Sequence, residues 1–293
     1  MEKFTPCLWF DKEARQGAEL YTSVFPDSNI THITTLHDTP SGDTDIVSFR
    51  LAGQPFMAMN GGPYFKPNPS ISFQVRCATK DEVDRIWEKL LPGGFALMDL
   101  GEYPFSERYG WLQDKYGISW QIMYTNGADF HQKIVPMILF VGSVCGKAEE
   151  AINFWTSVFQ PAHIGQVSHY EIGEDPDQEG SVKLASFSLL GVEFAAMDSA
   201  LDHKFAFNEA ISFMVTCENQ DEIDHYWKQL SAVPEAEQCG WLKDKFGLSW
   251  QITSREMDEM MENGSQEQLD RVTQAFLPMK KLDVAKIRAA YNG

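Results

Sequence analysis

The stretch GWLQDKYGISWQI occupies residues 110–122, and the nearly identical stretch GWLKDKFGLSWQI returns at residues 240–252. Three more segments return in the same order. They are LYTSVF (20–25) with FWTSVF (154–159), VSFRLAGQPFMAMN (47–60) with ASFSLLGVEFAAMD (185–198), and ISFQVRCATKDEVDRIWEKL (71–90) with ISFMVTCENQDEIDHYWKQL (211–230). Ordered self-similarity of this length indicates an internal duplication.

The duplication divides the chain into four parts. We predict a first domain at residues 1–125, a linker at 126–133, a second domain at 134–253 and a helical C-terminal tail at 254–293. The polar segment YTNGADFHQK between the copies has the composition of a linker. With 293 residues, the chain is long enough for two domains that each bury a core.

Within each copy, the pattern predicts a βαβββ module twice. In the first copy, Val83, Ile86, Trp87 and Leu90 recur at helical spacing, and the residues from Thr79 onward form a capping-box pattern. A strand precedes each predicted helix, and three strand-like runs separated by turn residues follow it. The predicted fold class is therefore α+β.

The predicted strands alternate between apolar and polar residues. In the closing strand the polar positions are Ser119 and Gln121, and in ISFQVRC they are Ser72, Gln74 and Arg76. The apolar face must pack against helices. Small hydroxyls and amides on the other face suit a half-enclosed cup that bonds a ligand, and an ordinary solvated sheet face is the alternative.

Charge and cysteine content exclude several partners and locations. The chain has 42 acidic and 24 basic residues, a net charge of −18, which is the wrong sign for binding nucleic acid or an anionic membrane surface. We therefore predict a small-molecule partner, and neither nucleic acid nor membrane. Five cysteines without a C-x-x-C pair argue against disulfides and structural zinc. Without a signal-peptide pattern in MEKFTPCLWF or a long apolar run, we expect a cytoplasmic protein.

Two βαβββ modules per domain, each domain closed by GWLxDKxGxSWQI, resemble the vicinal oxygen chelate superfamily of glyoxalases and bleomycin-resistance proteins. NGGPYF (60–65), FNEAISF (207–213), DEVDRIW with DEIDHYW, and CGWLKDKFGLSWQI (239–252) resemble more closely its PhnB-like branch, often labelled 3-demethylubiquinone-9 3-methyltransferase. The tail segment QAFLPMKKLDVAKIRAAY is similar to the helical end of single-domain members.

This resemblance implies two tandem glyoxalase-like domains. In each, paired modules form a cupped, antiparallel-type sheet with helices outside, and the cup holds a small molecule. The fused copies then act as an internal pseudo-dimer, and further homo-oligomerisation stays open.

The resemblance also implies where a metal would bind. In the metal-dependent enzymes of the superfamily, the ligands are usually a His on the first strand of each module and a carboxylate on the last. These positions fall near Thr5, within Phe56 to Asn60, near Ser70, at Gln121, near Val135, within Phe194 to Asp198, near Ala210 and at Gln251. Almost none of them holds a good divalent-metal ligand, so we expect no metal and no cofactor.

Neither the histidines nor the glycine pairs support the chemistry that the family label names. The seven histidines form no H-x-H or H-E-x-x-H spacing. The pairs Gly61–Gly62 and Gly93–Gly94 open no glycine-rich strand-to-helix turn of the kind that holds S-adenosylmethionine in the common methyltransferase fold. We therefore interpret the methyltransferase label as a name rather than a mechanism.

Eight residues are candidate ligand-binding residues. Gln121 and Gln251 lie on the polar face, where an amide can both donate to and accept from a ligand, and bonding to a neighbouring strand is the alternative. For Cys239 no neighbouring base is evident, which favours a packed thiol over a nucleophile. Asp114 and Asp244 have the spacing that is typical of turn-forming residues, so they are not included among the candidates. The candidates are Asn60, Gln74, Trp111, Gln121, Asp198, Cys239, Trp241 and Gln251.

The two copies differ in the parts of the family pattern that they keep. The first keeps NGGPYF and has Tyr109 where the second has Cys239, whereas the second keeps FNEAISF. We expect one cup to bind a ligand and the other to be mainly structural. Three functions stay open: a metal-independent small-molecule binding protein, a metal-dependent lyase, isomerase or dioxygenase, and a structural module without a ligand.

Overall fold

The computed structural model describes residues 3–128 and 130–293, so Met1, Glu2 and the linker residue Asp129 lie outside it. The described chain contains two compact units. Unit 1 contains residues 3–22, Asp27–Lys66 and Asn208–Gly293, and unit 2 contains Ser23–Pro26 and, apart from residue 129, Pro67–Phe207.

In the described part of unit 1, seven strands form one mixed sheet. The pairs β1·β4 and β13·β15 are parallel, and the other pairs are antiparallel. In spatial order the strands are β14 (Trp241–Lys243), β15 (Ser249–Ser254), β13 (Ile211–Cys217), β1 (Phe4–Phe10), β4 (Gln54–Asn60), β3 (Gly42–Leu51) and β2 (Asn29–Thr39).

The sheet of unit 2 contains eight strands among the described residues. Here β9·β12 and β5·β8 are the parallel pairs. In spatial order the strands are β10 (Ala162–His169), β11 (Val182–Leu189), β12 (Val192–Asp198), β9 (Ile134–Phe140), β5 (Ile71–Cys77), β8 (Ser119–Tyr124), β7 (Ser106–Gln113) and β6 (Phe95–Tyr103). The predicted α+β class is confirmed, with mixed rather than purely antiparallel sheets.

Among the residues that the structure describes, four helices follow the first strands of the modules, and three more lie in the C-terminal tail. None of the helices in residues 3–128 and 130–293 is long and apolar enough to cross a membrane. The helices are α1 (Ala14–Val24), α2 (Lys80–Leu90), α3 (Ala148–Val158), α4 (Gln220–Leu230), α5 (Arg255–Asn263), α6 (Gln266–Phe276) and α7 (Val284–Asn292).

The last module departs from the predicted βαβββ order. After α4, only β14 and β15 follow, and a short 3₁₀ turn at Pro234–Ala236 precedes them. The second copy has only the segment SAVPEAEQC between its helix and the closing stretch, where the first copy has enough residues for β6 and half of β7. The shorter segment leaves no length for a third strand.

Each sheet combines modules from different sequence copies. The junction in unit 1 pairs Cys7 of β1 with Ser212 of β13, and the junction in unit 2 pairs Ser72 of β5 with Met137 of β9. The paired-module architecture is therefore as predicted, but the modules exchange partners between copies. Because both copies carry equivalent first strands, either pairing satisfies the same backbone hydrogen bonds, and the sequence pattern does not distinguish them.

The duplicated stretch forms the same turn in both units. In unit 2, Asp114 Oδ1 accepts the backbone N–H groups of Tyr116 (2.8 Å) and Ile118 (3.1 Å). Its Oδ2 accepts Nε1–H of Trp120 at 2.9 Å. The carboxylate therefore holds both the turn and the buried indole of the closing strand.

In unit 1, Asp244 repeats this arrangement around Trp250. Gly117 and Gly247 have φ angles of 88° and 87°, in the left-handed region that glycine adopts without strain. The turn-forming interpretation of both aspartates is confirmed. Asp244 accepts the backbone N–H groups of Phe246 (2.9 Å) and Leu248 (3.1 Å) and Nε1–H of Trp250 (2.9 Å).

One face of each sheet packs against helices, as the alternation predicts. In unit 2, Phe73 and Trp120 pack together with ring centroids 5.4 Å apart and are fully buried. Beside them, a Cβ on Gly110 would lie 2.5 Å from the ring of Trp87 on α2, so only glycine fits there. We call the opposite face of each sheet its cup face.

Candidate ligand-binding cup

The cup face of unit 2 brings three of the candidate residues together. Gln74 on β5 pairs with Gln121 on β8, and Gln121 pairs with Trp111 on β7. The three side chains therefore form a row across adjacent strands. Met137 and Ser72 occupy the next row, because they are paired across β9 and β5.

Gln121 is buried and bonded to protein groups on both sides. Tyr109 Oη donates to Gln121 Oε1 at 2.9 Å, and Gln121 Nε2 donates to Ser72 Oγ at 2.8 Å. Burial also raises the pKa of the Tyr109 hydroxyl, which keeps it a proton donor. Gln121 therefore bonds residues of the neighbouring strands, which is the alternative that the sequence left open. One N–H and one lone pair of its amide are not used by these bonds.

Gln74 and Trp111 are half-buried and differ in their bonding. Trp111 Nε1 donates to Ser119 Oγ at 2.7 Å, which fixes the indole on the sheet. The amide of Gln74 has no hydrogen-bond partner among the described residues of the chain. A half-buried amide in the same row as an indole is a group that a ligand can bond.

The surroundings of this row are apolar or charge-paired. Val135, Met137 and Ala195 form a buried cluster on the same face, and Met197 packs against it. At the edge, Arg76 Nη1 lies 2.6 Å from a Glu193 carboxylate oxygen. The ion pair neutralises both charges, so this cup face presents mainly uncharged groups.

In unit 1 the corresponding residues are Trp241 and Gln251, which are paired across β14 and β15. Gln251 Nε2 donates to Ser212 Oγ at 2.9 Å. The thiol of Cys7 bonds to both side chains, and burial raises its pKa to about 12. Cys7 is thus a polar partner of Gln251 in unit 1, as Tyr109 is of Gln121 in unit 2.

The C-terminal helices close the cup face of unit 1. Thr216 on β13 bonds Asp258, and Thr34 on β2 bonds the carbonyl of Met261, although three strands separate β13 from β2 in the sheet. Those strands would be about 19 Å apart in a flat sheet, whereas three helical residues rise only about 4.5 Å. The sheet of unit 1 must therefore curve around α5 as a cup.

Cys239 belongs to the packing between this cup and the tail. Its Sγ donates to the Leu277 carbonyl at 3.2 Å, and burial raises its pKa to about 11. A thiol of raised pKa carries little thiolate at neutral pH. Cys239 is therefore a packed residue, as the sequence favoured.

Asn60 and Asp198 lie at strand ends, where they hold helix starts. Asn60 Oδ1 accepts the N–H of Ala14 at 2.9 Å. The two oxygens of Asp198 accept N–H groups of Gly146 (2.7 Å), Ala148 (3.3 Å) and Val182 (2.9 Å). Burial raises the pKa of Asp198, and these backbone bonds oppose that change. The structure does not bring either residue to the glutamine rows.

The NGGP segment is a plain turn. Gly61 N–H donates to the Phe10 carbonyl at 2.9 Å, and the Gly61 and Gly62 carbonyls accept from Ser41 (2.6 Å) and the Trp9 indole (2.7 Å). A Cβ on Gly61 would lie 2.2 Å from the Trp9 ring, so glycine is required for packing. A cleft of about 450 Å³ beside this turn is lined by Asp11, Lys12, Pro40, Ser41, Asp43, Asn60, Gly62, Pro63 and Tyr64.

At Gln121 and Gln251, two of the positions that the superfamily resemblance assigns to a metal, the surrounding side chains do not fit a divalent cation. Around Gln121 and Gln251 stand hydroxyl groups and a thiol whose pKa is raised, not imidazoles or carboxylates. Within residues 3–128 and 130–293, no group of three or more His, Cys, Asp or Glu side chains could hold a metal ion.

Comparison with known protein families identifies the family of the chain. The sequence model described as 3-demethylubiquinone-9 3-methyltransferase matches residues 2–123 and 132–253. The chain belongs to this family. The two matched segments also confirm the tandem duplication, and the family description is a name that carries no catalytic residue with it. No curated protein matches the chain.

Solved structures similar to the chain include one of a PhnB protein and two that share its fold along most of its length. The PhnB protein from Bacillus cereus, titled a putative 3-demethylubiquinone-9 3-methyltransferase, is 37% identical over 42% of this chain and 100% of its own, with a TM-score of 0.40. Glyoxalase I from Zea mays has a TM-score of 0.59 at 10% identity, covering 90% of this chain and 97% of its own. A putative dioxygenase from Bacillus subtilis has a TM-score of 0.51 at 9% identity, covering 99% and 96%. This family member therefore has the glyoxalase-like fold along most of its length.

Proposed function

We propose that the protein binds a small, uncharged molecule on the cup face of unit 2, without a metal. The observation that carries this proposal is the unpartnered amide of Gln74 in the same row as the half-buried Trp111, with Gln121 between them. An amide offers a donor and an acceptor in one plane, and an indole offers a flat apolar surface. A planar molecule with a carbonyl or amide group matches both.

The charge distribution and the floor support an uncharged ligand. Arg76, which follows Gln74 on β5, is paired with Glu193, and the floor of Val135, Met137 and Ala195 is apolar. A charged ligand would lose its hydration on this floor without gaining a counter-ion.

The five cysteines are free thiols, which supports a cytoplasmic location as part of the same proposal.

The test is native mass spectrometry of the gently purified full chain, with metal quantification in the same sample. Trp111→Ala is compared with Trp241→Ala, the equivalent change in unit 1. Gln74→Met introduces the residue that the second copy already has at Met214, and so should preserve the sheet. We expect one adduct per chain, retained in Trp241→Ala and weakened about tenfold in both unit 2 variants, because a stacked ring or a hydrogen bond contributes about 1–2 kcal/mol.

Three results would overturn the proposal. One is two equivalent adducts per chain, and another is an adduct that responds only to Trp241→Ala. The third is a stoichiometric metal that disappears when Gln121 or Gln251 is replaced by Ala.

A further inference from the structure

Four asparagines in the chain are followed directly by glycine: Asn60, Asn126, Asn263 and Asn292. In such a pair, the backbone nitrogen of the glycine can attack the side-chain amide carbon of the asparagine, because glycine has no side chain that obstructs the approach. The attack requires a glycine N–H that is not engaged in a hydrogen bond and a backbone that can rotate. The surroundings of the four pairs therefore decide which of them can react.

The Asn60–Gly61 pair is held by hydrogen bonds on both residues. Gly61 N–H donates to the Phe10 carbonyl at 2.9 Å, and Asn60 Oδ1 accepts the Ala14 N–H at 2.9 Å. The backbone of Gly61 is also enclosed, since a Cβ there would lie 2.2 Å from the Trp9 ring. Reaction at this pair requires the end of β4 to separate from the end of β1.

Two more pairs end helices, and both glycine nitrogens are engaged in the last helical turn. Gly264 N–H donates to the Met260 carbonyl at 2.9 Å, and Asn263 Nδ2 donates to the Glu259 carbonyl at 2.8 Å. At the end of α7, Gly293 N–H donates to the Ala289 carbonyl at 3.2 Å. Reaction at either pair requires the end of its helix to unwind.

The Asn126–Gly127 pair lies in the linker between β8 and β9 and is not held in this way. Both residues are exposed, with φ angles of 53° and 71°, as at the two central positions of a type I′ turn. Neither the Asn126 amide nor the Gly127 N–H has a hydrogen-bond partner among residues 3–128 and 130–293. The attacking nitrogen and the amide under attack are therefore both open to solvent.

The turn around this pair can open without disturbing the sheet. Ala128 N–H closes the turn by donating to the Thr125 carbonyl at 3.0 Å. Thr125 itself is anchored to β5, because its N–H (3.0 Å) and its hydroxyl (3.1 Å) both donate to the Cys77 carbonyl. Loss of the Ala128 bond thus frees the backbone at Asn126 while Thr125 stays in place.

We propose that Asn126 is a site of spontaneous covalent modification, at which the folded chain loses ammonia and gains a carboxylate faster than at its other Asn–Gly pairs. The proposal depends on the linker turn alone. It is independent of the proposed ligand site of unit 2.

The reaction has two steps, and water is the co-reactant. The Gly127 nitrogen loses its proton to solvent and bonds to Asn126 Cγ, while the Cγ–Nδ2 bond breaks and the amide nitrogen takes up a proton and leaves as ammonia. A succinimide ring results. Water then opens either C–N bond of this ring, which gives aspartate in the normal backbone or isoaspartate, whose backbone runs through Cγ.

The two products change the linker in different ways. Each adds a negative charge, because an exposed carboxyl is ionised at neutral pH. Aspartate tolerates the positive φ of the turn, as asparagine does. Isoaspartate adds a backbone carbon between Thr125 and Ala128, so their hydrogen bond no longer closes the same ring. We therefore expect isoaspartate to loosen the turn while the bonds from Thr125 to Cys77 stay intact.

The test is ageing of the full folded chain in mildly alkaline buffer made with heavy-oxygen water. Each asparagine that reacts then carries a heavy oxygen, which separates ageing from modification during digestion in ordinary water. Peptide mass spectrometry with electron-transfer fragmentation quantifies each site and distinguishes isoaspartate from aspartate. We expect Asn126 to react at least about tenfold faster than Asn60 and Asn263, because opening a turn costs less free energy than opening a sheet or a helix. The rate at Asn292 should lie between, since helix ends fray.

The same measurement in concentrated urea shows whether the fold sets this order. All four pairs should then react within about threefold of one another, because each keeps glycine as its next residue and loses its hydrogen bonds. Equal rates at Asn126 and Asn60 in the folded chain would overturn the proposal. So would a tenfold preference for Asn126 that persists in urea.

Two variants test the site in the intact protein by anion-exchange chromatography. Aged wild type should form a more acidic peak that elutes with freshly prepared Asn126→Asp. Asn126→Gln should age without this peak, because its longer side chain closes a ring far more slowly. An equal acidic peak in aged Asn126→Gln would assign the modification to another residue and refute the proposal.

Discussion

Removing the Asp244 carboxylate should destabilise unit 1 far more than an ordinary turn substitution. Asp244 is fully buried and accepts two backbone N–H groups and the Trp250 indole. In Asp244→Ala all three donors lose their acceptor, and the Trp250 N–H stays buried. Breaking such a network costs about 3–5 kcal/mol in free energy of unfolding, even after the desolvation of the carboxylate is relieved.

The separate contribution of the indole bond can be measured with a double-mutant cycle. Trp250→Phe keeps an aromatic ring and removes only the N–H donor, with an expected cost of about 1–3 kcal/mol. In Asp244→Asn, the side-chain oxygen can still accept the backbone N–H groups, but its NH₂ faces the indole N–H. Combining Asp244→Asn with Trp250→Phe removes that conflict, so the double variant should be about 1–2 kcal/mol more stable than additivity predicts.

The assay is urea unfolding followed by circular dichroism and tryptophan fluorescence. Asp114 and Trp120 in unit 2 give a matched set with the same bonds at nearly the same lengths. The two sets should give coupling free energies that agree within about 1 kcal/mol. A cost below about 1 kcal/mol for Asp244→Ala, or purely additive effects in both units, would refute the carboxylate's role in holding the turn and the indole together.

Three further predictions follow from single contacts, each measured by urea unfolding. Ser249→Ala should raise the free energy of unfolding by about 1 kcal/mol because it removes an unpaired buried hydroxyl, whereas Ser119→Ala should lower it by a similar amount because it breaks the bond from Trp111; equal signs would contradict this. Gly110→Ala should cost about 1–3 kcal/mol because its Cβ would lie 2.5 Å from Trp87, while Gly101→Ala, whose Cβ meets nothing closer than 3.8 Å, should cost less than about 1 kcal/mol; similar losses would be inconsistent with this packing. The free energy of unfolding of Asp258→Asn relative to wild type should rise between about pH 4 and pH 7, because the wild-type carboxyl ionises more readily in the unfolded chain. The rise should be at most about 4 kcal/mol, and smaller because solvent still contacts the half-buried carboxyl. A difference that does not change with pH would exclude the raised pKa.

The local structure could be predicted from the sequence because it depends on residues close together in the chain. The spacing of Asp114 to Gly117 predicts the turn, and the alternation around Gln121 predicts which face packs on helices. The bond from Asp114 to Trp120 had a visible signal as well, since both residues recur at the same separation in both copies.

The exchange of modules and the closing of one cup could not be predicted in this way. Equivalent first strands pair equally well within and between copies, so the choice depends on the whole chain. The cover over the unit 1 cup depends on Met260 and Val272, whose apolar periodicity predicts helices but not the surface that they cover. Asn60 and Asp198 end strands whose polar residues the alternation assigns to the cup. Short polar side chains at strand ends, however, commonly accept backbone N–H groups at the start of a helix, as both do here.

The central claim is that one cup, in unit 2, holds the ligand. The most direct measurement is the adduct stoichiometry of the full chain by native mass spectrometry, in wild type, Trp111→Ala and Trp241→Ala. The account predicts one adduct per chain that Trp111→Ala weakens about tenfold and Trp241→Ala leaves unchanged. An adduct that Trp241→Ala removes and Trp111→Ala retains would contradict it.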